Sequence, residues 1–313
     1  MKQVIYLTLL LLAIPFFVVF FLFTQEKLNS IKEEKEQNQE EKMFVRVKRE
    51  TTNKIESVEL EVYVVGVLAG EMPISFSIEA LKAQAVAARS YVLKRMEYNK
   101  DTEYDVVDSV TNQVYLDDTY LRSRWKDKYE ENITKLKKAV AETTAQYISY
   151  DGKIADALFF STSNGFTENS EEIFSFETPY LRSVESIWDA ETSPVFNDKK
   201  TYEIDEFFTL LGLSSSTELK VEVLQTSSTG RILKLKINGS EMKGSDVTTK
   251  LKLRSNDFEI VKEGNTITIK TNGYGHGVGM SQYGALGMAN EGYTYDEILK
   301  HYYQGIEIKK LSY

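Results

Sequence analysis

The segment Ala69-Gly70-Glu71-Met72-Pro73, with the helical pattern that follows it, organises the interpretation of the whole chain. Pro73 restricts Met72 to an extended conformation, so a helix that precedes this segment has to end here. Gly70 has no Cβ, which lets the backbone bend and lets another group come close. The segment therefore predicts a kinked turn that carries one carboxylate, Glu71.

A helix is predicted directly after this turn, over about residues 77–97. Ser77 is a favourable N-cap residue, and Glu79 suits the positive end of the helix dipole. Apolar residues recur at helical spacing, at Ile78, Leu81, Ala85, Val86, Val92 and Leu93. A carboxylate fixed at the turn before a buried helix is well placed for acid–base chemistry, and partial burial would raise the pKa of Glu71. The alternative, an ordinary solvated loop glutamate, stays open at this point.

The composition excludes several classes of protein. The 313 residues are 42% hydrophobic and 27% charged, which is typical of a globular chain. The net charge of −9 argues against a nucleic-acid partner, since no basic patch stands out to neutralise phosphates. The chain has no cysteine and only two histidines, His276 and His301, so we expect neither a metal site nor a cofactor.

The first 42 residues predict an anchor and a spacer. Residues 4–24 are uncharged and apolar, and at about 1.5 Å per residue they just span a bilayer core of about 30 Å. No small-residue cleavage site follows, so we expect residues 1–24 to be an uncleaved transmembrane signal anchor, with Lys2 favouring a cytoplasmic N-terminus. Residues 25–42 are rich in glutamate and lysine, which indicates a solvated linker between the membrane and an extracytoplasmic domain.

Residues 43–313 predict one α+β domain that mixes helices with antiparallel hairpins. Asp151-Gly152 favours a tight hairpin turn between strands at 146–150 and 153–160. Residues of about 200–262 combine a short helix with two strands, and we interpret them as a small β-rich accessory insert. Thr294-x-x-Glu297 is a capping box that starts a short helix. The other predicted elements are strands at 44–47, 266–270 and 306–311, a strand and loop at 106–115, and helices at 58–68 and 131–145.

Two polar segments can line a ligand site. Residues 161–167 place short polar side chains, among them Ser163 and Asn164, after an apolar strand; the alternative is a plain turn. Residues 273–285 contain four glycines at alternate positions and present His276, Ser281, Gln282 and Tyr283. This second segment fits neither a dinucleotide fingerprint nor a P-loop. Its alternative is a tight turn with one buried histidine.

Several stretches together resemble the stage II sporulation protein D family. They are the segment from Leu60-Glu61-Val62 through Gly70-Glu71-Met72-Pro73, the run Glu79-Ala80-Leu81-Lys82-Ala83-Gln84-Ala85-Val86-Ala87-Ala88-Arg89-Ser90-Tyr91, Gln113-Val114-Tyr115, the 161–167 loop, and the glycine segment up to Ala285. The resemblance covers the chain from about Phe44 to its end. It implies a peptidoglycan lytic transglycosylase that acts during engulfment of the forespore, on glycan strands from which an amidase has removed the stem peptides.

The resemblance also implies site residues, partners and a location. The catalytic glutamate of the family lies in its Gly-Glu-Met-Pro motif and corresponds to Glu71. Some relatives carry a zinc site that uses cysteines, which this chain lacks. The implied partners are glycan strands, the amidase stage II sporulation protein P and the membrane protein stage II sporulation protein M. The expected location is the mother-cell engulfing membrane, with the domain facing the intermembrane space.

A transglycosylase of this kind needs one carboxyl group. The acid protonates the glycosidic oxygen, and the resulting carboxylate takes the proton of the muramic acid 6-hydroxyl as it attacks C1, whereas ordinary glycosidases use two carboxylates. Only Glu71 stands in a motif that suits this role. Candidate sugar-binding residues are Gln113, Ser163, Asn164, His276 and Gln282. Two alternatives remain: a non-catalytic glycan-binding activator of a cell-wall amidase, and a structural scaffold protein.

Overall fold

Two consecutive helices, α1 (Leu60–Glu71) and α2 (Ile78–Tyr98), form the centre of the structure, a computed structural model that describes residues 42–312. An antiparallel hairpin of β1 (Phe44–Lys48) and β2 (Ile55–Glu59) leads into α1. The extended conformation of Met72 ends α1, as Pro73 requires, and the Ser77 hydroxyl caps α2 by accepting a hydrogen bond from the Ala80 N–H. The predicted turn and helix are therefore confirmed.

Helix α2 is buried along most of its length, which explains its many alanines. It packs against α1 and against several later elements, and its small alanine side chains let the backbones of these elements come close. After it come β3 (Val106–Val107), which pairs in parallel with β1, then α3 (Asp118–Trp125), α4 (Tyr129–Ala141) and the hairpin of β4 (Gln146–Tyr150) with β5 (Lys153–Ile154). Asp151 and Gly152 have φ of 48° and 74°, which fits the predicted primed turn.

The second predicted hairpin strand, at 153–160, is broken. After β5 the chain leaves the ladder and forms β6 (Phe159–Phe160), which pairs in parallel with a strand near the C-terminus instead. Two short helices follow, α5 (Ser170–Phe174) and α6 (Asp189–Thr192). The hairpin turn was predictable from Asp-Gly, but local sequence does not show where the pairing stops.

The β-rich segment has a hydrophobic core of its own, in which Phe207, Leu235 and Ile267 are fully buried. Its two sheets have the strand orders β10-β9-β8 and β11-β12-β7. The core includes residues beyond the predicted 200–262, but the domain boundaries themselves stay a prediction. The elements are β7 (Asn197–Glu203), α7 (Ile204–Leu211), β8 (Val221–Thr226), β9 (Ile232–Ile237), β10 (Ser240–Lys243), α8 (Gly244–Lys250), β11 (Phe258–Glu263) and β12 (Thr266–Asn272).

The C-terminal elements return to the central helices. The strand β13 (Met280–Ser281) is the partner of β6 and continues directly into α9 (Gln282–Asn290). The predicted capping box of Thr294 and Glu297 is present at α10 (Tyr295–Tyr302), and β14 (Glu307–Lys310) pairs with β4. Both α9 and α10 pack on α2, which brings residues near position 282 close to the end of α1.

The predicted anchor at residues 1–24 and nearly all of the predicted linker at 25–42 lie outside the described residues. Within residues 42–312, no helix combines the length and the apolar character needed to cross a bilayer.

Candidate active site

Glu71 is the last residue of α1 and is partly buried. Its Oε1 accepts a hydrogen bond of 2.7 Å from the backbone N–H of Val114. Burial raises the pKa of Glu71 above its ordinary value, although the Val114 N–H and the Gln282 amide both favour the ionised form. Glu71 therefore keeps a proton more readily than a solvated glutamate does, which suits a general acid.

The Val114 N–H reaches Glu71 because its loop crosses α1 at two glycines one helical turn apart. A Cβ on Gly70 would lie 2.3 Å from the Val114 carbonyl oxygen, and one on Gly66 would lie 2.4 Å from the ring of Tyr115. Leu116 adds a hydrogen bond of 3.2 Å from its N–H to the Gly66 carbonyl. Any larger residue at these two positions would push the loop, and with it the partner of Glu71, away from the helix.

Gln282 is the other side chain that the structure brings to Glu71. It begins α9 and is almost wholly buried, with 6% of its surface exposed. Its Nε2 is buried and completes no hydrogen bond of normal geometry within residues 42–312. The amide nevertheless lies close enough to Glu71 to favour the ionised carboxylate. The next residue, Tyr283, packs its ring against Phe76 in the turn after Glu71, with 5.0 Å between ring centroids. Of the five predicted binding residues, Gln282 is thus the one that lies beside the predicted acid.

Asp189 is a buried carboxylate behind this site that no sequence motif indicated. Its Oδ1 accepts hydrogen bonds from the Ser163 N–H, at 2.8 Å, and from the hydroxyl of Ser281, the residue that caps α9. Its Oδ2 accepts one of 2.6 Å from the Ser186 hydroxyl. Burial raises the pKa of Asp189, and these serine bonds oppose the shift. Asp189 therefore ties the 161–167 loop to the start of α9 and fixes the position of Gln282.

Gln113 and Ser163, two of the predicted binding residues, are fully buried and bonded within the protein. The Gln113 Oε1 accepts a hydrogen bond from the Tyr63 hydroxyl at 3.1 Å, and its Nε2 donates to the Ala88 carbonyl at 3.4 Å. The Ser163 hydroxyl donates to the Ser186 carbonyl at 3.0 Å. Both side chains hold loops in place in this structure, so we leave them out of the proposed sugar-binding set.

Asn164 connects the 161–167 loop to the β-rich segment. Its Nδ2 donates to Asp257 at 2.8 Å and to the Thr229 carbonyl at 3.2 Å. Among the residues that the structure describes, no hydrogen bond joins Asn164 to Glu71. Its contacts fit a structural role in this conformation.

His276 packs between two aromatic rings, with ring centroids 5.7 Å from Phe160 and 5.5 Å from Phe174. Its Nδ1 accepts a hydrogen bond of 3.0 Å from the Val278 N–H. Burial and the nearby Arg231 lower the pKa of His276 to about 4, so the ring is neutral at neutral pH. Within the part of the chain that is described, no group of three or more His, Asp or Glu side chains is arranged to hold a metal ion.

The glycine-rich segment at residues 273–285 packs around a buried ion pair. The Arg231 Nε lies 3.0 Å from the Glu168 carboxylate, and both side chains are at most 1% exposed. Arg231 also donates to the Gly275 carbonyl at 2.9 Å, and a Cβ on Gly277 would lie 2.7 Å from Glu168. Because φ is 106° at Gly275 and 86° at Gly277, other residues would be strained here. Packing against this pair therefore explains two of the four glycines without a ligand.

A second ion pair, of which only the arginine is fully buried, joins α1 to α2. Arg89 is fully buried; its Nε donates to the Glu61 carboxylate at 2.9 Å and its Nη1 donates to the Gln146 carbonyl at 2.9 Å. The second guanidinium nitrogen bonds the other Glu61 oxygen, which makes the pair bidentate. This pair fixes the helix that carries Glu71, and no sequence motif indicated it.

Comparison with known proteins shows which family this chain is similar to. A family model described as "SpoIID: Stage II sporulation protein" matches residues 48–150, the range that includes Glu71 and Val114. The chain is 42% identical over 276 residues to stage II sporulation protein D of Bacillus amyloliquefaciens, which covers 87% of this chain and 80% of that protein. It is 43% identical over 269 residues to stage II sporulation protein D of Bacillus subtilis (strain 168), covering 84% and 78%.

A more distant match is a protein named amidase enhancer from Bacillus subtilis (strain 168). It is 30% identical over 298 residues, which covers 77% of this chain and 39% of that protein. Since the two Bacillus sporulation proteins match over most of their own length as well, this chain belongs to the stage II sporulation protein D family.

Proposed function

We propose that this protein is a lytic transglycosylase that cleaves denuded peptidoglycan strands during forespore engulfment, with Glu71 as its single general acid and base. The observation that carries the proposal is a partly buried carboxyl group of raised pKa, which the Val114 N–H holds at a helix end and which lies beside the Gln282 amide. Membership of the stage II sporulation protein D family supports a role at the cell wall.

In the proposed reaction, protonated Glu71 gives its proton to the glycosidic oxygen, and the bond from that oxygen to muramic acid C1 breaks. The Glu71 carboxylate then takes the proton of the 6-hydroxyl as O6 bonds to C1. Because that hydroxyl belongs to the same sugar, little entropy is lost in bringing it to C1. Asp189 does not suit the role of a second carboxylate, since its side chain is fully buried and both oxygens are bonded.

The products test this mechanism. We expect digestion of denuded strands by the purified protein to leave 1,6-anhydromuramic acid ends, lighter by one water than hydrolysis products on mass spectrometry. In heavy-oxygen water the new ends should stay unlabelled. Label at the new C1 would show that water attacks, and the single-carboxylate mechanism would then be wrong.

The similarity to the amidase enhancer favours a second candidate function. In this second function, the protein binds glycan and activates a cell-wall amidase without cleaving the strand. Stage II sporulation proteins P and M are the partners we propose for either function. The two candidate functions differ in their need for Glu71, because an activator that catalyses no reaction needs no acid at this position.

We also propose that residues 1–24 anchor the protein in the membrane, with residues 42–312 outside the cytoplasm. The uncharged run at 4–24 and Lys2 support this topology. Protease added to intact protoplasts should therefore degrade the domain. Protection of the domain, or its recovery as a shortened secreted form, would contradict the proposed topology.

A further inference from the structure

A groove lies between α5 and the sheet formed by β8, β9 and β10. Its volume is about 580 Å³, within the range of ordinary ligand sites. Neither Glu71 nor Gln282 lines it. Side chains from α5 face strands of the β-rich segment across it, and the charged lining residues are Glu171, Glu172, Lys234 and Lys243.

Two lysines of this groove lie side by side. Lys234 and Lys243 are direct partners in the β9–β10 ladder, and like charges at opposed positions destabilise a strand pair. Glu241 forms an ion pair with Lys234. Lys243 has no ion pair with any residue in the described range 42–312. The sheet thus presents the ammonium group of Lys243 to the groove without an ion-pair partner among the described residues, and a carboxylate on a ligand would pair with it.

The acidic wall opposite is already hydrogen-bonded. Glu171 forms an ion pair with Arg182. Glu172 accepts hydrogen bonds from Asn169 at 2.9 Å and from the N–H and hydroxyl of Ser228, both at 2.7 Å. Carboxylates held in this way still offer lone pairs, which accept hydrogen bonds from hydroxyl and amide N–H groups. One wall therefore suits a carboxylate and the other suits sugar hydroxyls and acetamido groups.

We propose that this groove binds a carboxylate-bearing saccharide. If the proposed function holds, the ligand is a stretch of the glycan strand whose lactyl carboxylate faces Lys243 and whose hydroxyl and acetamido groups face Glu172. His276 contacts Phe174 of α5 on one side and Phe160 on the other, so packed side chains link α5 to β6. Phe160 belongs to β6, whose partner β13 continues into Gln282. The β-rich segment would thereby take part in holding the polymer.

The test compares Lys243→Glu with Lys262→Glu. Lys262 is an exposed residue of β11 that does not line the groove, so it controls for the same charge change in the same segment. Affinity is measured for three probes: denuded glycan strands, strands that keep their stem peptides, and neutral chitin oligosaccharides. Peptide-bearing strands have the lactyl group converted to an amide, and chitin has none.

We expect Lys243→Glu to weaken binding of denuded strands at least about fivefold, and added salt to weaken wild-type binding, because an exposed ion pair is screened. Lys262→Glu should bind as wild type does, and chitin binding should be the same in all three proteins. Because the introduced carboxylate would face Lys234 across the ladder, the Lys243→Glu variant should fold at least as stably as wild type, which a thermal melt checks.

Equal binding of denuded strands by the two variants would contradict the proposed binding groove. An equal loss of chitin binding by Lys243→Glu would also contradict it. A loss confined to peptide-bearing strands would show that stem-peptide carboxylates, and not lactyl groups, fill it. These outcomes do not depend on cleavage. Products without anhydro ends would refute the transglycosylase but not the proposed binding groove. Normal cleavage together with unaltered binding by Lys243→Glu would refute the binding groove but not the transglycosylase.

Discussion

Replacing Glu71 by glutamine is expected to reduce cleavage of denuded strands at least about a hundredfold, the low end of what a general acid contributes. Glutamine has nearly the same shape, and its Oε1 can still accept the hydrogen bond from the Val114 N–H. The variant should therefore keep its fold and lose only the proton that the reaction needs. Product release from denuded strands, followed by chromatography, measures the loss.

The pH dependence of stability provides an independent check on the same variant. Burial raises the pKa of Glu71, so in the window between the unfolded and folded pKa values the folded protein binds more protons than the unfolded chain. Wild-type stability, measured relative to Glu71→Gln, should therefore rise as the pH falls from neutral through the pKa of folded Glu71. Thermal unfolding of both proteins across that range tests the sign.

Two outcomes would contradict this assignment of Glu71. Full turnover by Glu71→Gln would mean that another group supplies the proton, or that none is needed. Loss of the folded state would show that Glu71 is a structural residue, and the activity of the variant would then carry no information about catalysis.

Replacing the fully buried Arg89 by methionine is expected to destabilise the protein by about 1.5–3 kcal/mol, the usual contribution of hydrogen bonds to a charged group, because its partner Glu61 stays 23% exposed to water. The change leaves the Glu61 carboxylate without its bidentate partner and the Gln146 carbonyl without its donor. Both groups lie where three central elements meet, α1, α2 and β4, so the guanidinium bridges all three. Denaturant unfolding measures the loss.

Lys94→Met is a matched control on the same helix. It breaks the pair with Glu97, whose side chain is 48% exposed, and exposed pairs contribute at most about 1 kcal/mol. The double variant Arg89→Met, Glu61→Leu removes both charges and should recover part of the loss. If Arg89→Met unfolds at the same denaturant concentration as Lys94→Met, the pair of Arg89 and Glu61 does not hold α1 and α2 together.

The sequence predicted those features that depend on neighbouring residues. Met72-Pro73 ends one helix, Ser77 starts the next, and Asp151-Gly152 turns a hairpin, because each effect acts within a few positions of the residues that cause it. The α+β class follows from such local signals. The same reasoning singled out Glu71, since a carboxylate between a glycine and a Met-Pro step marks a constrained position.

Contacts between distant residues were not predictable in the same way. Gln113 and Ser163 have the composition of binding residues, but Tyr63, Ala88 and Ser186 take up their hydrogen bonds inside the protein. Asp189 stands in no motif, and its importance comes from serines that belong to other segments. Whether a polar side chain turns inward depends on what the fold places beside it, and a single sequence does not contain that information.

The wide separation of Glu71 and Gln282 along the chain has a consequence for biosynthesis. Chains are made from the N-terminus, and their early segments fold first. The α1–α2 pair is complete long before α9 and α10 exist, yet α10 anchors to this pair through the Tyr295 N–H, which donates to Glu79 at 2.8 Å. The order of synthesis therefore keeps the acid apart from the rest of its site until the last helices have been made.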